Sequence, residues 1–106
     1  MQSSVVKLAG DLDFSRKPEL QRLLGAAENS DIAILDLQNV TYLDSSALSS
    51  FMSLKKHMVE RGKAGVVRVA GASAPLLRIF QICGLDRVFE LYDSASEAQQ
   101  APPAGG

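Results

Sequence analysis

The residues best suited to chemistry lie together in one short segment, Leu43-Asp44-Ser45-Ser46-Ala47-Leu48. Asp44, Ser45 and Ser46 carry side-chain oxygens that accept hydrogen bonds from the unpaired backbone N–H groups at the start of a helix. A phosphate on a serine at such a place is favoured by the helix dipole, so the modification need not disrupt the helix. The segment therefore predicts a helix start that carries a serine suited to phosphorylation.

Other kinds of chemistry find little support in the sequence. His57 is the only histidine and Cys83 the only cysteine, so neither a zinc site of Cys and His ligands nor a Ser-His-Asp triad is predicted. The turn Gly62-Lys63-Ala64-Gly65 lacks the spacing of a phosphate-binding loop. We therefore expect no enzyme activity, no bound cofactor and no metal site.

Two elements must position the central segment. The apolar run Ile32 to Leu37 is short and β-branched, which indicates a buried strand. After it, a helix is expected from Ser45 to about Arg61, with Gly62 as the left-handed residue that ends it. At 100° per residue, two groups of side chains lie on opposite faces of this helix. The apolar group is Ala47, Leu48, Phe51, Met52, Leu54, Met58 and Val59, and the polar group is Ser45, Ser46, Ser49, Ser50, Ser53, Lys56, His57 and Glu60.

The polar face of this helix is unusual because it is built largely from serine. Lys, Glu and Arg are better helix formers and are typical of a solvated face. Small serine side chains give a flat surface that another protein can approach closely. The alternative is a helix of weak intrinsic propensity that packing stabilises.

The rest of the chain alternates strands and helices, which predicts an α/β domain with helices packed against a sheet. Asp13 or Ser15 can cap the first helix, and Pro18 fits its first turn. Further strands are expected at Val5 to Ala9, Val66 to Ala70 and Val88 to Leu91, and further helices at Arg16 to Glu28, Ser73 to Cys83 and Ser94 to Gln100.

Length and composition indicate a single soluble domain, which we place at residues 1–100. The 106 residues carry a net charge of −1, which gives no electrostatic footprint for nucleic acid. One cysteine fits a reducing cytoplasm, and no apolar run is long enough to insert in a membrane. Residues 101–106, Ala-Pro-Pro-Ala-Gly-Gly, are predicted to be a disordered tail.

Two motifs carry a resemblance to a known family. Leu43 to Leu48 resembles the signature of the STAS domain of bacterial anti-sigma factor antagonists, and Gly10-Asp11-Leu12-Asp13 resembles the family's "G-[ED]-L-D" element. Leu77, Phe80, Gly84-Leu85 and Val88-Phe89 match the second half of the family, so the resemblance extends from Val5 to Ala98. It implies a mixed sheet of about four to five strands, with an antiparallel N-terminal part and one more strand before Val5.

The resemblance also implies a function. Such a protein is no enzyme: unphosphorylated, it binds an anti-sigma factor of the ATP-binding serine-kinase type and frees a sigma factor. Ser45 aligns with the family's phosphoacceptor, and a separate serine phosphatase removes the phosphate. Asp44 has three interpretations here: helix cap, turn residue, or contact to the kinase and its magnesium. The expected partner-binding residues are Asp13, Asp44, Ser46, Ala47, Ser49, Ser50 and Ser53.

A second interpretation comes from the same family. STAS domains also serve as subunits or domains that dock on a membrane transporter or its ATPase. In that role the same surface is a permanent contact, and Ser45 need not be modified.

Overall fold

Four parallel strands form one sheet, in the order β1-β2-β3-β4, in the computed structural model, which describes residues 2–102. The strands are β1 Ser3–Leu12, β2 Ile32–Leu43, β3 Val66–Ala70 and β4 Glu90–Tyr92. The α-helices are α1 Lys17–Gly25, α2 Ser45–Glu60, α3 Ala74–Ile82 and α4 Ala95–Gln100. Short 3₁₀ helices cover Phe14–Arg16 and Leu85–Arg87. The predicted α/β domain is confirmed.

The prediction of a mixed sheet is wrong for residues 2–102, where each pair of neighbouring strands is parallel. β1 pairs with β2 in parallel from Ser3↔Ile32 to Leu12↔Leu43. Ser3–Leu12 forms one continuous strand, longer than the predicted Val5 to Ala9. Within residues 2–102 no separate strand precedes Val5, because the residues before it belong to this single parallel strand.

The residues of β2 alternate between two apolar cores on the two faces of the sheet. Ala33, Leu35 and Leu37 belong to the larger core, which also holds buried side chains of α1, α2 and α3. Ile32 and Ile34 belong to the smaller core with Ala98 of α4. This alternation is the period of two that a strand imposes on its side chains. The sheet is therefore covered by three helices on one face and by α4 on the other.

α2 ends where the sequence predicted. Gly62 has a φ of +78°, a conformation that a glycine adopts without steric cost. Its N–H donates to the Val59 carbonyl at 2.9 Å, and the Lys63 N–H donates to the Met58 carbonyl at 3.0 Å. These two bonds are the Schellman ending of a helix.

The predicted disordered tail falls largely outside the described residues, which stop at residue 102. The carbonyls of Ala101 and Pro102 accept hydrogen bonds from the guanidinium of Arg68, at 3.1 and 2.7 Å. The first two residues of the predicted tail are therefore attached to β3.

Candidate functional site

Asp44 joins the end of β2 to the start of α2. Its backbone is extended, with φ −107° and ψ −179°, and its Oδ1 accepts the Ala47 N–H at 3.1 Å and the Ser46 hydroxyl at 2.6 Å. This is the geometry of a helix N-cap. The structure thus confirms the cap interpretation of Asp44.

The other carboxylate oxygen of Asp44 contacts the turn that follows the neighbouring strand, β1. Oδ2 accepts the N–H of Phe14 at 2.9 Å, and the Asp44 N–H donates to the Leu12 carbonyl at 3.2 Å. The Ser46 hydroxyl, and to a smaller extent the N–H groups of Ala47 and Phe14, lower the pKa of Asp44 from its ordinary value. Asp44 is therefore a carboxylate that holds the ends of β1 and β2 and the start of α2 together.

Ser45 and Ser46 have different surroundings although they are adjacent. Ser45 is exposed, and within residues 2–102 its hydroxyl makes no hydrogen bond. Ser46 is half-buried, and its hydroxyl is held by Asp44. An enzyme can reach the Ser45 oxygen directly, whereas modification of Ser46 must first break the bond to Asp44.

Asp13 lies at the same edge of the sheet, just after β1. Its Oδ1 accepts the N–H of Ser15 at 3.0 Å and the Ser15 hydroxyl at 2.5 Å. It therefore caps the 3₁₀ turn Phe14–Arg16, and α1 begins one residue later than predicted, at Lys17. Because Leu12 and Leu43 are paired, Asp13 and Asp44 follow neighbouring strand ends, as parallel pairing requires.

The partner-binding residues predicted on α2 divide into two groups. Ser49 and Ser53 are exposed. Ser50 is only 6% exposed, with its hydroxyl bonded to the Ser46 carbonyl at 3.0 Å, and the Ala47 side chain is buried. Ser50 is therefore corrected from a surface residue to a packed one, whereas Ala47 is buried on the apolar face where the sequence placed it. With its side chain buried, Ala47 offers a partner little contact area.

The same packing changes which apolar side chains of α2 are buried. Met52 and Val59 were predicted to face inward, yet both are exposed. α2 packs against α1 as well as against the sheet. The second neighbour turns the buried arc of the helix toward Ser50 and away from Met52 and Val59.

His57 takes part in a small ionic group between the ends of α1 and α2. Its Nδ1 lies 3.1 Å from Glu28 Oε1, and Arg61 lies 3.0 Å from the other oxygen of Glu28. The three side chains are on the surface, where such pairs contribute little to stability. His57 thus connects the C-terminal part of α2 to the turn that follows α1.

The structure shows two features that the sequence did not predict. Phe14 is 70% exposed and Tyr42 is 50% exposed, and both lie where β1 and β2 end. A phenylalanine within the turn Asp13 to Ser15 is the signal that could have been noticed, since a turn offers nothing to bury it. The second feature is the ion pair of Arg68. The signal for it is a charged residue inside the apolar strand Val66 to Ala70, since a charge at such a position indicates a buried ion pair.

No group of His, Cys, Asp and Glu side chains suited to hold a metal ion occurs among residues 2–102. The same part of the chain contains no helix that is long and apolar enough to cross a membrane.

Comparison with known proteins identifies the family. The model of the STAS domain matches residues 2–98. The chain belongs to the STAS domain family. The anti-sigma-B factor antagonist of Bacillus subtilis is 30% identical over 87 residues, which are 81% of this chain and 78% of that protein. The anti-sigma-B factor antagonist of Staphylococcus aureus is 34% identical over 83 residues, 76% of this chain and 74% of that protein.

Solved STAS structures share the fold. An anti-sigma factor antagonist from Mycobacterium paratuberculosis has a TM-score of 0.80 at 27% identity, over 92% of this chain and 83% of that one. A sulfate transporter family protein from Wolinella succinogenes has a TM-score of 0.74 at 17% identity, over 91% and 80% of the two chains. At that identity the second likeness shows the fold alone.

Proposed function

We propose that this STAS protein is an anti-sigma factor antagonist that is switched off by phosphorylation at Ser45. Unphosphorylated, it binds an anti-sigma factor of the serine-kinase type in the cytoplasm and so frees a sigma factor. The kinase then transfers the γ-phosphate of ATP to Ser45, and a serine phosphatase restores the hydroxyl. The relatives named above support the general role.

The observation that carries the proposal is the exposed hydroxyl of Ser45 in the first turn of α2, which makes no hydrogen bond to any of residues 2–102. A phosphate there adds about −1.5 to −2 charges at the positive end of the helix dipole. The phosphate also lies one residue from the Asp44 carboxylate, whose negative charge repels it. We expect these opposing effects to leave the fold intact.

The same phosphate has a much larger effect on binding. An interface fitted to a serine hydroxyl must accommodate four more heavy atoms and the desolvation of their charge. Like-charge contact with any facing carboxylate adds to the cost. We expect affinity to fall about a hundredfold or more, which corresponds to about 2.8 kcal/mol at 1.4 kcal/mol per tenfold.

The experiment compares wild type with Ser45→Ala, Ser46→Ala and Ser49→Ala. Each is incubated with ATP and each purified anti-sigma kinase of the source genome, and phosphate is located by intact mass and peptide mapping. Ser49→Ala is the matched control, because Ser49 is an exposed serine one turn further along α2. We expect phosphate on all variants except Ser45→Ala. Phosphate on Ser45→Ala but not on Ser46→Ala contradicts the assignment of Ser45.

Binding is then measured by calorimetry for the same proteins. Ser45→Ala should bind the kinase as the wild type does, and it should resist inactivation by ATP. Ser45→Asp should fold and bind weakly. A wild type that accepts no phosphate and binds no anti-sigma kinase contradicts the proposal and favours the transporter alternative, in which the domain docks on a transporter or its ATPase.

A further inference from the structure

Two aromatic side chains of this protein are exposed. The chain has four phenylalanines and two tyrosines. Phe51, Phe80 and Phe89 are buried and Tyr92 is half-buried. The other two, Phe14 and Tyr42, are exposed and follow or end the paired strands β1 and β2.

Phe14 is held in its exposed position by the rest of the site. Its N–H is bonded to Asp44, and the cap by Asp13 fixes the turn in which it lies. The ammonium of Lys17 lies 5.9 Å from the centre of its ring. An aromatic ring on a fixed backbone loses little conformational entropy when a partner covers it.

The position of Phe14 places it beside any protein that acts on Ser45. A typical interface buries about 800 Å² on each partner, a disc of roughly 16 Å radius. Phe14 N lies 2.9 Å from the carboxylate of Asp44, the residue before Ser45. A partner centred on Ser45 therefore covers Phe14.

From the exposure of Phe14 and the bond of its N–H to the residue before Ser45, we propose that Phe14 is the main anchor by which the kinase partner recognises this protein. The inference rests on the proposed function and names a residue that determines its specificity. Exposed aromatic rings are typical binding hot spots, since burying them removes a large apolar area from water.

The surroundings of Phe14 also define the matching surface on the kinase. It is an apolar pocket for the ring, with a carboxylate at its rim. Burial of Phe14 takes the nearby Lys17 ammonium out of water, and an unpaired charge there is costly. A partner carboxylate within reach of Lys17 compensates for that cost.

The test measures kinase affinity by calorimetry for five proteins: wild type, Phe14→Ala, Phe14→Tyr, Lys17→Glu and Ile82→Ala. Ile82 is the matched control, because it is an apolar side chain 76% exposed at the end of α3. Thermal unfolding of each variant checks the fold, which loss of an exposed ring should not disturb. We expect Phe14→Ala to weaken binding about tenfold or more, as loss of a hot spot does. Ile82→Ala should bind as the wild type does, and Lys17→Glu should bind more weakly. Phe14→Tyr should bind with an affinity between those of wild type and Phe14→Ala, because it keeps the ring but places a hydroxyl in an apolar pocket.

The two hypotheses fail in different ways. If wild type binds and is phosphorylated on Ser45 but Phe14→Ala and Ile82→Ala bind equally well, the anchor is wrong and the proposed function stands. If the wild type itself neither binds nor is phosphorylated, the proposed function is wrong and the anchor fails with it.

Discussion

Asp44 and Arg68 are both charged side chains that join several elements, but they differ in burial. The Arg68 guanidinium is 1% exposed and donates to Glu90 Oε1 and to the carbonyls of Ala98, Ala101 and Pro102, at 2.7 to 3.1 Å. Asp44 is half-buried at the rim of the sheet and accepts from Phe14, Ser46 and Ala47. Arg68 thereby joins β3 to β4, to α4 and to the residues that follow α4. Asp44 joins the end of β2 to the start of α2 and to the turn that follows β1.

Burial decides what each group can do. The hydrogen bonds of Arg68 are buried. Breaking them would leave a charge without a partner in the apolar interior, so neither water nor another protein can replace them. The bonds of Asp44 lie beside an exposed serine and an exposed aromatic ring, where another protein can approach. We interpret the Arg68 group as structural and the Asp44 group as the part of the molecule available for regulation.

Loss of Arg68 should have the largest effect on stability. Arg68→Ala removes the donor to three carbonyls and one of the two donors to Glu90, which keeps its bond from the Tyr92 hydroxyl. Removal of one partner of a buried ion pair costs about 3–5 kcal/mol, and because Glu90 is only partly buried we expect the lower end of that range. Urea denaturation measures this change in the free energy of unfolding. Arg22→Ala, on the exposed side of α1, is the control and should change it by less than about 0.5 kcal/mol. Equal stability of the two variants contradicts the structural role of Arg68.

Removal of residues 101–106 should have the next largest effect. The sequence predicts a disordered tail, which would be dispensable for stability, but two of its carbonyls accept hydrogen bonds from Arg68 in the structure. We therefore expect a loss of about 1–3 kcal/mol, the cost of leaving a buried donor unsatisfied. Removal of residues 103–106 alone retains both carbonyls and is the matched control. If both truncations leave the midpoint of thermal unfolding unchanged, the whole tail is dispensable after all.

Replacement of Asp44 should lower stability less than loss of Arg68. Asp44→Ala removes every acceptor, whereas Asp44→Asn keeps one oxygen that can cap α2. Because the folded pKa of Asp44 is lowered, chiefly by the Ser46 hydroxyl, its ionised form stabilises the fold fully above the unfolded pKa of about 3.9. That contribution is lost as the pH falls through the lower folded pKa.

Denaturation of wild type and Asp44→Asn between pH 7 and pH 3 measures their free energies of unfolding and tests the direction of this pH dependence. The difference between their free energies of unfolding should begin to narrow once the pH falls below the unfolded pKa of about 3.9, because the unfolded state then binds a proton that the folded carboxylate does not yet bind. Asp93→Asn, at an exposed position between β4 and α4, serves as the control and should follow the wild type. A difference that stays constant with pH is incompatible with a stabilising ionised Asp44.

Substitution of the exposed serines of α2 should have the smallest effect on stability. Ser49→Lys and Ser53→Lys introduce a better helix former and should change the free energy of unfolding by a few tenths of a kcal/mol, about the difference in propensity. Both should nevertheless weaken kinase binding, because a long side chain is placed in a close contact. Gln81→Lys on α3 is the control for added charge. Unchanged affinity in both serine variants indicates that this face of α2 is merely solvated.

The sequence alone determined the features that depend on neighbours a few residues apart. The capping of α2 by Asp44 reaches three residues, to Ala47. The bonds that end α2 reach three residues, from Gly62 to Val59, and five residues, from Lys63 to Met58. Composition and spacing were therefore sufficient to predict α2, the strand at Val66 to Ala70 and the place of Ser45. The alternation of strands and helices gave the fold class for the same reason.

Only the tertiary structure decided the features that depend on distant residues. The bond from Phe14 to Asp44 spans 30 residues, and those from Arg68 to α4 and beyond span 30 to 34. Burial of Ser50 in place of Met52 depends on the packing of α1 against α2. Parallel pairing of β1 with β2 brought Asp13, Phe14 and Asp44 to one edge. A local pattern cannot specify such contacts, because they are set by which elements pack together and in which register.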